Sequence, residues 1–531
     1  MVANSDMAGF FLEVPQFRLR GFSFGNSFSL RSSPTSFAIP RNVRLLLAVV
    51  LVIHFCLGAF VGLSVDEAHY ALYATHPALS YFDHPPLVGW VQWPLVALNA
   101  PTAILRLIPE LLWLGTAVLV HALAERLQGD ESSADRGAGA GGNAGFWAVL
   151  TLALAPLLHV LGIGLLPDTL LMFFTVALMW LTRELMDASA LQRPWLWVAL
   201  GAVLGLAGLS KYTAILAAVA VALCLIVAHG WRVLRTPWLW LAVLIALVMV
   251  TPVAVWNYQN HWISFTYQAE HGAGGGWQGQ HLLRFLLTQL LVYGPLLLWG
   301  WVGGLQKSLR LFFVVPFVVM AALSGGGTSL PHWTAPAWVA LAPFAGIALA
   351  RSWRQGRRTV VIVLAIAQGV VGVGLLGLML TAGVPFITSA SGQGNMLAPS
   401  NPFADLHGWD AAGARARALA AQQGLQSVSV QNWTLASRLG WYARPLPVHV
   451  LEDRFDQFDL WAADLLQGGS TLLVDWSQLA YEVPLGAHGF ADCRLLDTQD
   501  VHRLGTTIAT FRFYACSNWS GDPKPRLKGS L

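Results

Sequence analysis

Ser64-Val-Asp66-Glu67-Ala-His69-Tyr70, followed by Tyr81-Phe82-Asp83-His84-Pro85-Pro86-Leu87, is the polar segment around which the rest of the chain is organised. It comes directly after the first long apolar run, over about 43–64, where a membrane helix would leave the bilayer. Asp66, Glu67, His69, Tyr70, His76, Asp83 and His84 crowd one loop. A helix start explains one acid, because Asp and Glu favour helix N-termini. It explains a dense set of ionisable groups less well, and such clusters at membrane depth default to function. Adjacent residues on a helix point about 100° apart, so only one of Asp66 and Glu67 can face a given cavity.

Outward from this loop, the chain is mostly hydrocarbon-soluble. Of its 531 residues 56% are hydrophobic and only 11% charged, against about 25% in soluble proteins. Apolar runs are expected to cross a membrane at about 43–64, 102–127, 145–163, 167–182, 195–209, 211–230, 237–256, 285–304, 309–323, 333–350 and 359–385, eleven in all. The 24 Trp suit aromatic belts at both interfaces. The net charge of +4 is small, and no basic tract interleaved with aromatics suggests nucleic acid.

With the N-terminus inside, seventeen Lys and Arg up to residue 385 fall in inner loops, and only Arg106, Lys211 and Arg284 fall outside. This positive-inside bias sets the topology. It puts 65–101, 256–284, 324–332 and everything after 385 on the outer face. The expected organisation is a cytoplasmic arm at 1–42, a transmembrane domain at 43–385 and an outer C-terminal domain at 386–531. The loop 128–144 reads as a flexible inner linker. The fold class is therefore mainly α, a polytopic bundle with a small C-terminal α/β domain. In that domain Ala411–Gln423 reads as helix, and Ser427–Val430, Thr471–Val474 and Thr506–Phe511 as strands. Cys493 and Cys516 lie in the same tail, where an outer location permits a disulfide.

Further candidates sit on the same face. Two prolines lock Asp83-His84, so Asp83 can orient or charge His84, which would then meet a phosphate. Pro167-Asp168 opens a span, a sound helix start in its own right. Lys211 interrupts two apolar runs beside Tyr212; it either snorkels to the surface or holds a phosphate as a point charge. The aromatic loop with Tyr267, Glu270 and His271 and the Gly325–His332 approach suit sugar stacking and hydroxyl bonding, although rings also anchor at interfaces. Ligand types for a divalent ion are present, but no HExxH spacing or cysteine pair accompanies them. No cofactor is required by this reading.

Asp66-Glu67-Ala-His-Tyr, Tyr-Phe-Asp-His-Pro-Pro-Leu-Val, Leu-Pro-Asp168 and Leu-Ser-Lys211-Tyr-Thr occur in that order. The ordered set resembles the membrane glycosyltransferases of the protein O-mannosyltransferase superfamily. Within it, the bacterial branch related to the aminoarabinose transferase of lipid A is most alike. The resemblance covers about 43–350 well and the tail loosely. It implies a GT-C fold, a polyprenyl-phosphate-linked sugar donor, and inverting transfer on the periplasmic side of the bacterial inner membrane. The acceptor would be lipid A or lipopolysaccharide, another glycan, or a protein. The resemblance also implies Asp66 as the catalytic carboxylate, with Asp168 as a second acid and Lys211 near the lipid phosphate. His84 stands where the lipid A enzymes typically carry lysine.

The expected catalytic set is thus Asp66, Glu67 and Asp168, with Glu67 supporting the loop or binding sugar. The expected substrate-binding set is His69, Tyr70, Tyr81, Asp83, His84, Lys211, Tyr212, Tyr267, Glu270 and His332. The rival class is a transporter or flippase of a lipid-linked or polar solute, which would show pseudo-symmetric halves and polar groups near the midplane. A membrane assembly scaffold would not need the loop acids at all.

Overall fold

The computed structural model describes residues 39–134, 143–302, 307–383, 401–452 and 454–521. Most of the expected N-terminal arm, and 135–142 of the expected inner linker, lie outside these residues. The first membrane helix, α1 (Arg41–Phe60), ends at a short extended link and is followed by α2 (Val65–Thr75). Ser64 starts α2 through a capping box: its hydroxyl accepts from the Glu67 amide, and the Glu67 carboxylate accepts from the Ser64 amide.

Among the described residues, seven helices are long and apolar enough to cross a membrane, or nine when two sharply bent pairs each count as one span. Both bends have a proline cause. Ala144–Ala153 and Pro156–Ile163 meet at 78°, and Gly279–Tyr293 and Pro295–Trp301 at 98°. The expectation of about eleven crossings exceeds this range by the runs at 167–182 and 195–209. Both are helical, as Pro167–Leu185 and Pro194–Ser210. The first carries Asp168, Arg183 and Glu184. The second has 17 residues, about 25 Å of rise against a hydrocarbon core of about 30 Å. The first is largely buried against neighbouring helices; the second is buried at eight of its 17 residues, with Trp195 and Val198 exposed. The Ala335–Arg354 helix is buried along almost its whole length and lies at the centre of the bundle.

Residues 401–521 form a mixed five-stranded sheet with helices. Its order is β2-β1-β3-β5-β4, from β1 (Val428–Val430), β2 (Val448–Val450), β3 (Thr471–Trp476), β4 (Phe490–Arg503) and β5 (Thr506–Trp519). β1 runs parallel to β2 and β3, while β5 is antiparallel to β3 and β4. Cys493 and Cys516 face each other across β4 and β5 and form a disulfide.

This domain does not stand apart from the helices. Leu63, Ala68, Ala71 and Leu72 belong to one core cluster with Leu435, Ala436 and Leu439 of the Trp433–Tyr442 helix. The spacing of Ala68, Ala71 and Leu72 gives α2 an apolar stripe, and the C-terminal domain covers it. Burying that stripe pins α2 between the bundle and the sheet domain.

Candidate active site

The two sides of α2 treat their acids differently. On one side Glu67 meets Arg106, at 3.0 Å to Nε and 3.2 Å to Nη2. The remaining Arg106 donors reach the carbonyls of Gly58, Val61 and Gly62, the otherwise orphaned end of α1. Both side chains are buried. Sequence reasoning took Arg106 only as an outer-loop cation, and nothing in its neighbours marks it as the clamp between α1 and α2.

On the other side Asp66 is partly buried and, among the described residues, makes no hydrogen bond and no ion pair. His332, His69, Asp168 and Asp83 all act on its charge. Burial pushes its carboxyl above the ordinary value, Asp168 and Asp83 add to that, and the two histidines oppose it.

The other three acids have partners. Asp168, at the start of Pro167–Leu185, accepts from Lys211 Nζ with both oxygens, at 2.7 and 2.6 Å. His332 Nε2 lies 3.8 Å from the same carboxylate, and Lys211 Nζ sits 5.6 Å from the centre of the Trp333 ring. Lys211 and Asp168 are both buried. Helix polarity explains the meeting: Asp168 begins one helix, Lys211 ends the next, and His332 begins a third.

Asp83 accepts a hydrogen bond from the Tyr73 hydroxyl, and His69 Nε2 lies 3.5 Å away. Burial alone would raise the Asp83 carboxyl, but His69, the nearby His84 and the Tyr73 bond hold it well below the usual range. The partner of Asp83 is therefore His69 rather than its neighbour His84. Burial pushes His84 down to about 4 and outweighs the pull of Asp83. The expectation of an Asp83-charged His84 gives way to a neutral imidazole whose buried Nδ1 has no hydrogen-bond partner among the described residues.

The remaining candidates divide between frame and rim. His69 Nδ1 lies 3.1 Å from Ser437 Oγ, tying the loop to the C-terminal domain. The Tyr70 ring is 5.4 Å from His84 and its carbonyl accepts from Gln92. Tyr81 stacks on Tyr73 at 3.6 Å and bonds loop carbonyls through its hydroxyl. The Tyr212 hydroxyl is buried beside Ser80, Asn257 and Ser264. Tyr267 packs on Phe82 and stacks on His271. Gln268 of that helix donates to the Asp83 carbonyl at 2.6 Å. Glu270 is exposed and, among the described residues, makes no hydrogen bond or ion pair with the cluster.

Arg438 is a residue that sequence reasoning missed. It comes from the Trp433–Tyr442 helix, pairs with Asp405, and lies 4.1 Å from the Trp409 ring centre. Burial pushes it down to about 9, with the charge of Asp66 acting the other way. Among the described residues no three His, Cys, Asp or Glu side chains are grouped to hold a metal ion.

Comparisons with known proteins bear on the fold and the family. The family described as dolichyl-phosphate-mannose-protein mannosyltransferase matches residues 83–256, a third of the chain that includes Asp83, His84, Asp168 and Lys211. Lipid A galacturonosyltransferase RgtD of Rhizobium johnstonii is 24% identical over 313 residues, covering 55% of this chain. The match spans 62% of that relative's length. Among solved structures, ArnT from Cupriavidus metallidurans bound to undecaprenyl phosphate superposes with a TM-score of 0.58 and 19% identity. Its apo form gives 0.55 and 18%, and each match covers 91% of this chain and 99% of the other. The chain has an ArnT-like GT-C fold and is a multi-pass membrane protein. The resemblance read from the ordered motifs is borne out.

Proposed function

We propose that this protein is a membrane glycosyltransferase that moves a sugar from a polyprenyl-phosphate carrier to a lipid A-type acceptor on the outer face of the bacterial inner membrane. The observation that carries this reading is the unpaired Asp66 carboxylate facing a buried group of His69, Asp83, Asp168, Lys211 and His332. The undecaprenyl phosphate of the ArnT structure and the lipid A of the Rhizobium relative's name support the donor and acceptor classes.

Asp66 is the general base. It takes the proton of the acceptor hydroxyl while that oxygen attacks the anomeric carbon in line. The bond from that carbon to the phosphate oxygen breaks, configuration inverts, and polyprenyl phosphate leaves with the bonding pair. The lysine ammonium has three donors, and Asp168 takes at most two of them in the observed geometry. The third is available to a phosphate oxygen as charge develops. His84 adds a neutral hydrogen bond through its unpartnered nitrogen. Asp168 sets the direction of Lys211, and Glu67 positions α2 through Arg106. Tyr70, Tyr212, Tyr267 and His332 line the sugar and carrier approach.

The deciding experiment is transfer by purified Asp66→Asn from a polyprenyl-phosphate sugar to lipid A. Rates equal to wild type would overturn the assignment of the base. Unaltered lipid A mass in a deletion strain would count against the acceptor.

A further inference from the structure

A polar cavity lies beside α2 on the Arg106 side. It holds about 350 Å³, within the roughly 300–1,000 Å³ range of small-molecule sites. One wall is the end of α1, from Gly58 to Gly62 with Arg106 behind it. The other is the C-terminal domain, through His407, Asp410, Tyr442 and Arg503. The walls are joined by backbone contact, since Gly62 N donates to Leu406 O at 2.8 Å and Leu63 N to the Tyr442 hydroxyl at 2.9 Å.

The charge balance of the cavity is unusual. Arg106 is fully used by Glu67 and the α1 carbonyls. Arg503 has no carboxylate partner among the described residues; its polar contacts go to His407 Nδ1, at 3.1 Å from Nε and 2.8 Å from Nη2. His407 cannot neutralise it, because its other nitrogen, Nε2, lies 2.9 Å from the Met379 carbonyl and donates to it. Burial and the adjacent Arg503 both keep that imidazole below its ordinary pKa, hence uncharged at neutral pH. A partly buried guanidinium with spare donors therefore faces the space. An arginine fork matches phosphate oxygens.

The surroundings indicate how that phosphate arrives. Phe60 lines the cavity and is 71% exposed, Cys56 and Ile53 on the same side of α1 are exposed, and Leu107 and Leu111 beyond Arg106 are also exposed. These belong to membrane-crossing helices whose outer surfaces face lipid. A phosphate with hydrocarbon chains attached satisfies both halves of the site. Asp410, exposed at the start of the Trp409–Gln423 helix, is the one carboxylate on the walls. It accommodates a zwitterionic head group as well as an anionic one.

We propose that this cavity binds the phosphate head group of a membrane lipid, with Arg503 as its charged ligand and the chains lying along Phe60 and Ile53. The proposal does not rest on the transferase reading, since its readout is binding. The test is native mass spectrometry of the delipidated full chain titrated with phosphatidylethanolamine or phosphatidylglycerol, with and without inorganic phosphate. Wild type should retain one lipid, and Arg503→Gln should weaken that binding by about tenfold or more, as loss of a charged hydrogen bond implies. Arg503→Lys should keep most of it, which separates lost charge from a disturbed hairpin. Equal retention by wild type and Arg503→Gln would overturn the proposal. So would displacement of every lipid by inorganic phosphate, which would make this a site for the free ion.

Discussion

Asp66 and Glu67 are neighbours in sequence and opposites in environment. The Glu67 side of α2 is closed: its carboxylate is capped by Ser64 and clamped by Arg106, and Arg106 also satisfies the end of α1. The Asp66 side is open: among the described residues its carboxylate has no hydrogen-bond or ion-pair partner, and charges of both signs surround it. A paired acid holds a structure together and has nothing left to offer a substrate. An unpaired acid costs stability and keeps its lone pairs for chemistry. The same helix does both because a turn of about 100° separates successive side chains.

The largest effect should come from the open side. Asp66→Asn should lower transfer by about 10²–10⁴-fold, the usual worth of a general base. It should leave the melting temperature unchanged or raise it, because it removes an uncompensated charge. A large fall in melting temperature would mean that Asp66 is a structural group and would erase the contrast.

Next is the buried pair that bridges two helices. Lys211→Met leaves Asp168 charged and alone, which should destabilise by about 3–5 kcal/mol. Adding Asp168→Asn should restore much of that stability in thermal unfolding without restoring transfer. Recovery of both by the double variant would show that the pair serves only the fold.

On the closed side, Glu67→Gln keeps a neutral acceptor for Arg106 and loses a charge-assisted bond. A loss of about 1–3 kcal/mol is expected, with less than a tenfold change in transfer at temperatures where the protein is folded. An effect on rate as large as that of Asp66→Asn would break the distinction between the two sides.

The smallest effect is a shift in pH profile. The base must be ionised, and its folded carboxyl is raised, so activity should fall at a higher pH than for an ordinary aspartate as acid is added. The sign for stability is opposite: the Asp66 contribution is present below its unfolded pKa and lost as pH rises through the folded one. His84, pushed down to about 4 from 6.5, contributes stability above about 6.5 that disappears as pH falls through about 4. A kcat/KM profile with its acid limb at ordinary aspartate values would contradict the raised carboxyl.

Much of this arrangement was legible in the residues. Long apolar runs and the bias of arginine to one side imply a bundle with one polar face, and that face carries the loop acids. The positions of Asp168, Lys211 and His332 at alternating helix ends follow from the same topology. The count of crossings was less legible, because Pro194–Ser210 is too short and Pro167–Leu185 too polar to pass on length and hydropathy, although both are helices packed against their neighbours. Periodicity reports that a helix forms and has no term for whether lipid or protein surrounds it.

Hydrophobicity and charge bias are local properties, so the residues alone carry the class of this protein, its polar rim and the order in which its acids and bases arrive. Which carboxylate stays unpaired is set only by packing. Arg106, 39 residues after Glu67, and Ser437, 368 residues after His69, reach their partners only when the bundle and the sheet domain close on α2. Pairing is a matter of distance in space, and only the packed fold fixes that distance.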